Sequence, residues 1–144
     1  LNNKTSIEVY IEFVKLEPGL DFSLTTVTDK LGITPTDTEK IGQWANSLRQ
    51  YRFTSWKYST GLVETLDFEM LMEQIVDTFK DKSNIIKELK NELGLGTVIR
   101  VVTYVVEGRS PGYSFPVDVM KFAVSIDTLI EIDDYVYGFV EEEN

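Results

Sequence analysis

Thr97-Val98-Ile99-Arg100-Val101-Val102-Thr103-Tyr104-Val105-Val106-Glu107 is the stretch whose reading decides the fold. Its β-branched side chains crowd a helical turn and fit a pleated backbone, so the run reads as a strand. Because it is nearly continuous rather than alternating, it is expected at the centre of a sheet, covered on both faces or nearly so. Arg100 and Thr103 interrupt it, and it falls far short of the roughly 20 apolar residues of a membrane-spanning helix. The Gly108-Arg109-Ser110-Pro111-Gly112 segment that follows is a loop.

Upstream of this strand, Phe68, Leu71, Met72, Ile75, Val76, Phe79, Ile86, Leu89 and Leu93 recur at spacings of three and four, which predicts a long helix over Leu66–Leu93. Asp81-Lys82-Ser83-Asn84 interrupts the stripe, so a kink or break is expected there, with Ser83 capping the second piece. Gly94 closes the helix. Further upstream, Ile7, Val9, Ile11 and Phe13 alternate with Glu8, Tyr10, Glu12 and Val14, a period-two strand with one buried face, ended by Pro18-Gly19. Ser23 is an N-cap, with Phe22 and Val27 as a hydrophobic staple, and Gly32 and Pro35 stop the short helix. Glu39–Leu48 fits helical spacing at Ile41, Trp44 and Leu48, yet Gly42 argues against it. The aromatic, β-branched run Tyr51–Thr60 reads as a strand.

Downstream, Pro116 sits near the start of a helix over Phe115–Ser125 whose stripe is Phe115, Val119, Phe122, Ala123 and Ile126. Leu129–Phe139 is the last strand, with Ile130, Ile132 and Val136 on one face and Glu131, Asp133, Tyr135 and Tyr137 on the other. No internal repeat, low-complexity segment or linker is visible. The order β-α-(β)-β-α-β-α-β predicts a single α+β domain over residues 1–140, a largely antiparallel sheet with three helices packed on it. A ferredoxin-like strand order is the expectation, and residues 141–144 read as an acidic, frayed tail.

At 144 residues the chain is long enough to bury a core without staples. It contains neither Cys nor His, which removes zinc fingers, thiolate nucleophiles, His-based triads and imidazole acid/base chemistry from its vocabulary. No cofactor or metal is expected. The net charge of −10 is unevenly placed. Residues 1–60 hold seven acids and seven bases, whereas residues 61–144 hold 17 acids and seven bases. From Asp127 onward there are seven acids and no base. Such a surface repels phosphate backbones, so nucleic acid is a poor partner; a membrane is not expected either. The plainer account of the charge is solubility, and the sharper one is an acidic face that steers toward a basic protein. With no basic n-region and apolar h-region at the start, the expectation is a cytoplasmic protein.

The early strand, Leu31-Gly32-Ile33-Thr34-Pro35, the glycine in Lys40-Ile41-Gly42, Ser55-Trp56 entering a strand, the long central helix, and Glu131-Ile132-Asp133-Asp134-Tyr135 together resemble an uncharacterised bacterial family, domain of unknown function 4279. The resemblance spans nearly the whole chain and carries no assigned activity. Families of this kind often sit near toxin loci, so the resemblance implies an immunity or regulatory role as one candidate.

Two constellations carry chemistry. Glu131, Asp133 and Tyr135 share one strand face at roughly 7 Å spacing, where paired carboxylates serve acid/base work or a hard cation, or are simply a solvated face. Trp44, Arg49, Arg52 and Trp56, joined by Tyr51 and Tyr58, are the residue types that dominate protein interfaces and stack on planar ligands, and they also serve as sheet packing. Gly94-Leu95-Gly96 and the 108–112 loop lack phosphate-loop spacing and read as turns. The leading expectation is a non-enzymatic domain that binds a basic protein partner. The alternative is a small-ligand-binding or carboxylate-based hydrolytic domain, with Trp44, Arg52 and Trp56 around a pocket and Glu131 or Asp133 supplying the polar contact.

Overall fold

Period-two alternation in the first strand and in the deciding stretch has one structural outcome, a sheet with a dry face and a wet one. The computed structural model describes residues 4–138. Strand β1 (Ser6–Lys15) turns Ile7, Val9, Ile11 and Phe13 into the core, each fully buried. It pairs antiparallel with β5 (Leu95–Val106), placing Ile11 opposite Ile99 and Tyr10 opposite Arg100. On its other side it pairs antiparallel with β3 (Ser55–Ser59), Phe13 opposite Trp56. A short β2 (Asp37–Glu39) extends the sheet beyond β3, and β4 (Val63–Glu64) pairs with the start of β1. Strand β6 (Leu129–Tyr137) lies against β5 in parallel, which makes the order β2-β3-β1-β5-β6.

The α+β class and the mostly antiparallel sheet are those expected. The strand order is not ferredoxin-like, because the two central strands, β1 and β5, run antiparallel. The sole parallel pair among the described residues, β5 with β6, follows from its connection. A crossover through α4 (Val117–Ser125) returns the chain to the end from which β5 set out.

Helix α1 (Leu24–Leu31) starts where Ser23 Oγ accepts from the Thr26 amide and stops at Gly32, whose left-handed φ of 67° lets its amide reach the Thr28 carbonyl. The expected break in the long helix is real. Helix α2 (Phe68–Phe79) is capped by Asp67, a 3-10 turn spans Lys80–Lys82, and α3 (Ser83–Leu93) ends at Gly94. Ser83 does not cap α3. It is the first helical residue, and its hydroxyl lies 3.1 Å from that of Ser125 and 3.4 Å from the Lys80 carbonyl. The amphipathic stripes of all four helices meet the same sheet face in one core, in which Phe22 and Val27 both take part.

Two strand readings are corrected. Only Ser55–Ser59 of the Tyr51–Thr60 run is strand, because residues 41–51 fold on themselves as a small hairpin, with Trp44 bridged to Gln50 and Tyr51 donating to the Gln43 carbonyl. That hairpin also answers the ambiguity of Glu39–Leu48, which is not helical. Strand β5 is central but covered on one face, its side chains alternating between buried and half-exposed. Val98, Val102 and Val106 made the run look continuous while lying on the open side. The acidic segment 141–144 and Phe139, at the expected end of the last strand, lie outside the described residues. Among the described residues no helix is long and apolar enough to cross a membrane.

Candidate functional site

Among the described residues all helices pack on one side of the sheet, so the other side is where polar side chains converge in the open. Strand register sets its rows. Ser59, Tyr10, Arg100 and Glu131 lie across β3, β1, β5 and β6; Glu8, Val102 and Asp133 form a second row, and Ser6, Tyr104 and Tyr135 a third. Arg100 is the hub. Its Nε and Nη2 donate to Glu131 Oε2 at 3.0 and 2.9 Å, Nη1 donates to the Tyr10 hydroxyl oxygen at 2.8 Å, and Glu12 and Asp133 carboxylates stand 3.5 and 3.7 Å away. Burial works against the Arg100 charge, but the Tyr10 hydroxyl and Glu131 outweigh it and hold the guanidinium above its usual value. Lys57 sits 4.3 Å over the other part of this network, the Tyr10 ring.

Arg100 and Lys57 against Glu8, Glu12, Glu131 and Asp133 leave this face net negative. Glu8 and Glu12 are further held by the Ser59 and Ser55 hydroxyls, at 2.5 and 2.6 Å, so their positions are fixed by β3. Toward the end of β6 the face becomes aromatic. Tyr104 stacks on Tyr135 and Tyr137 with ring centroids 5.4 and 6.1 Å apart. Among the described residues no group of three or more carboxylates is placed to hold a metal ion.

The structure divides the sequence-derived candidates. Glu131, Asp133 and Tyr135 share the open face as their period demanded. Trp56 belongs to the core: fully buried, it packs edge-on against Phe13 and Phe79 and donates from Nε1 to Thr28 Oγ1 at 3.0 Å. Trp44 lies on the 41–51 hairpin and is 65% exposed, as are the neighbouring Arg49 and Arg52 exposed, while Tyr58 packs against Phe79. Trp56 and the Glu131/Asp133 pair therefore occupy opposite sides of the sheet, and the single pocket expected from Trp44, Arg52 and Trp56 with a carboxylate does not form. Arg49, Tyr51, Arg52 and Phe53 line a recess of about 240 Å³ with Glu39. A second recess, about 370 Å³, is walled by Val14, Pro18, Leu20 and Phe53 and reaches Glu12 and Arg100.

The residues missed from the sequence are Tyr10, Glu12, Arg100 and Tyr104. Arg100 had a signal, a lone charge inside a β-branched run, which a strand keeps only where that position faces water or a partner charge.

Residues 5–137 match the model of a domain of unknown function, DUF4279. The chain belongs to this family. The DUF4279 match takes in both the helix layer and the open face with all of β6, so the Arg100 cluster lies inside the family domain. No curated protein and no solved structure matches the chain.

Proposed function

We propose that this DUF4279 domain is a non-enzymatic, cytoplasmic protein-binding module whose open sheet face takes a basic partner, in a regulatory or immunity role. The observation that carries the reading is the arrangement around Arg100. Three carboxylates share one guanidinium on an uncovered face, so the face has negative charge left over after its internal pairing is complete. Sequence charge supports it, since the excess of acids falls in residues 61–144. Flat, partly aromatic, charged surfaces suit protein recognition, where aromatic and Arg contacts dominate binding energy.

A fluorescently labelled arginine-rich peptide titrated at graded salt tests this. Binding should weaken with salt and should fall about tenfold in a Glu131→Gln/Asp133→Asn variant, while the charge-matched Glu69→Gln/Glu73→Gln variant on the exposed side of α2 stays near wild type. Equal losses in the two variants would reduce the effect to net charge and end the proposal.

A small-ligand reading has one observation in its favour, the recess in which Phe53, Leu20 and Val14 stand over the Glu12 and Arg100 charges. A thermal-shift screen of small aromatic acids against wild type and Phe53→Ala tests it. Stabilisation abolished by that variant supports the site, and unaltered stabilisation discards it.

A further inference from the structure

We infer that the partner binds as an added β-strand along the free edge of β6, presenting arginines on one side and apolar residues on the other. The inference rests on the basic-partner reading and specifies its geometry. Strand β6 ends the sheet and, among the described residues, pairs with β5 alone. The Tyr137 carbonyl accepts from the Glu107 amide at 3.2 Å. Because backbone groups alternate sides along a strand, the odd-numbered residues of β6 turn theirs to β5. Ile130, Ile132, Asp134 and Val136 therefore direct their amides and carbonyls away from the sheet, a ready template for another chain.

Side-chain chemistry on the two sides of this edge selects the occupant. On the open side Glu131 and Asp133 carry the unbalanced charge, and Tyr135 and Tyr137, 47% and 44% exposed, offer ring faces on which a guanidinium stacks. On the helix side the helix layer stops short of the edge, leaving Ile132 and Val136 37% and 56% exposed, with Asp134 between them accepting from the Tyr113 hydroxyl. An incoming strand with alternating arginine and apolar residues meets both demands at once. A second copy of this chain in the antiparallel register centred on Ile132 does not, because it sets Glu131 against Asp133 of the copy, a like-charge contact that destabilises sheets.

The test uses the whole chain and a ten-residue peptide of alternating arginine and valine, together with two isomers N-methylated at every arginine or at every valine. Methylation removes the amide donors of one edge only. One isomer should bind within about threefold of the parent and the other at least about tenfold weaker, and which one fails tells parallel from antiparallel addition. In the same complex, hydrogen exchange should slow at Ile130, Ile132, Asp134 and Val136. Equal behaviour of the two isomers, or unaltered exchange at those amides, overturns strand addition even if the parent still binds. The basic-partner reading falls separately, if the unmethylated parent does not bind. Sedimentation of the free chain closes the remaining route: a dimer that already protects those four amides would make a second copy the occupant and overturn the proposal.

Discussion

Arg100 and Glu131 face each other across the parallel β5–β6 ladder, and two guanidinium nitrogens share the single oxygen Oε2 at 2.9 and 3.0 Å. The pair ties the edge strand to the centre of the sheet. It also orders the carboxylates that a partner would meet, since the same guanidinium reaches Glu12 on β1 and Asp133 on β6.

Arg100→Ala should therefore cost stability through what it leaves behind. Glu12, with its side chain only 13% exposed, and Tyr10 lose the guanidinium and are left with Ser55 and Lys57, for about 1–3 kcal/mol by urea denaturation. In a double-mutant cycle, Glu131→Ala should cost less in the Arg100→Ala background than in wild type. Additive costs would show that the pair is not coupled.

The two tryptophans should behave as opposites. Trp44→Phe leaves only the buried Trp56, whose emission should be blue-shifted and resist iodide, while Trp56→Phe leaves the exposed Trp44, which iodide should quench freely. Trp56→Ala is expected to cost about 3–5 kcal/mol and Trp44→Ala within about 0.5 kcal/mol.

Alkaline stability should be sensitive to Tyr113. Burial, then the hydrogen bond and charge of Asp134, push its phenol up to about 12, against the opposing effect of Thr103. Between its unfolded value near 10 and its folded value, the unfolded chain releases the proton while the folded chain keeps it, so stability falls as pH rises through that window. Absorbance at alkaline pH should show a tyrosine titrating late, missing in Tyr113→Phe, and that variant's stability should decline less steeply over the window.

At the acid end the group is Asp21. The Thr54 hydroxyl, then Lys40, hold its carboxyl below the usual carboxylate range. A depressed folded value means that this stability is present above the unfolded pKa and lost as pH falls through the folded one. Its side chain is 44% exposed, so the contribution is small. Asp21→Asn should flatten the acid limb of a melting-temperature profile below about pH 4 without steepening it elsewhere.

Much of the secondary structure was legible because its causes are local. Ser23 caps and Gly32 terminates α1 by bonds that span three or four residues, and the stripe from Phe68 to Leu93 needs only the 3.6 period. Even the break after Phe79 was visible as a polar gap. Reading Ser83 as its cap failed because the Ser125 hydroxyl and the Lys80 carbonyl compete for the serine, and Ser125 lies 42 residues away.

The candidate site was legible only within β6, where Glu131, Asp133 and Tyr135 share a face by simple alternation. Trp44 and Trp56 looked alike from the sequence. One ended in the core and the other in water because Phe13 lies opposite Trp56 across β1 and Phe79 descends on it from α2, contacts that no local pattern encodes.

By itself, the sequence determined the strand and helix periods, the caps and the imbalance of charge, since each depends on residues within a few positions or on composition alone. The tertiary structure alone decided that β6 ends the sheet beside β5, that helices cover one face, and that Tyr10, Glu12, Arg100, Glu131 and Asp133 meet on the other. Pairing register brings residues as distant as Tyr10 and Glu131, 121 positions apart, into one row, and it is fixed by burying Ile7, Val9, Ile11 and Phe13 against the helices; a slip of one residue would turn every one of them to solvent.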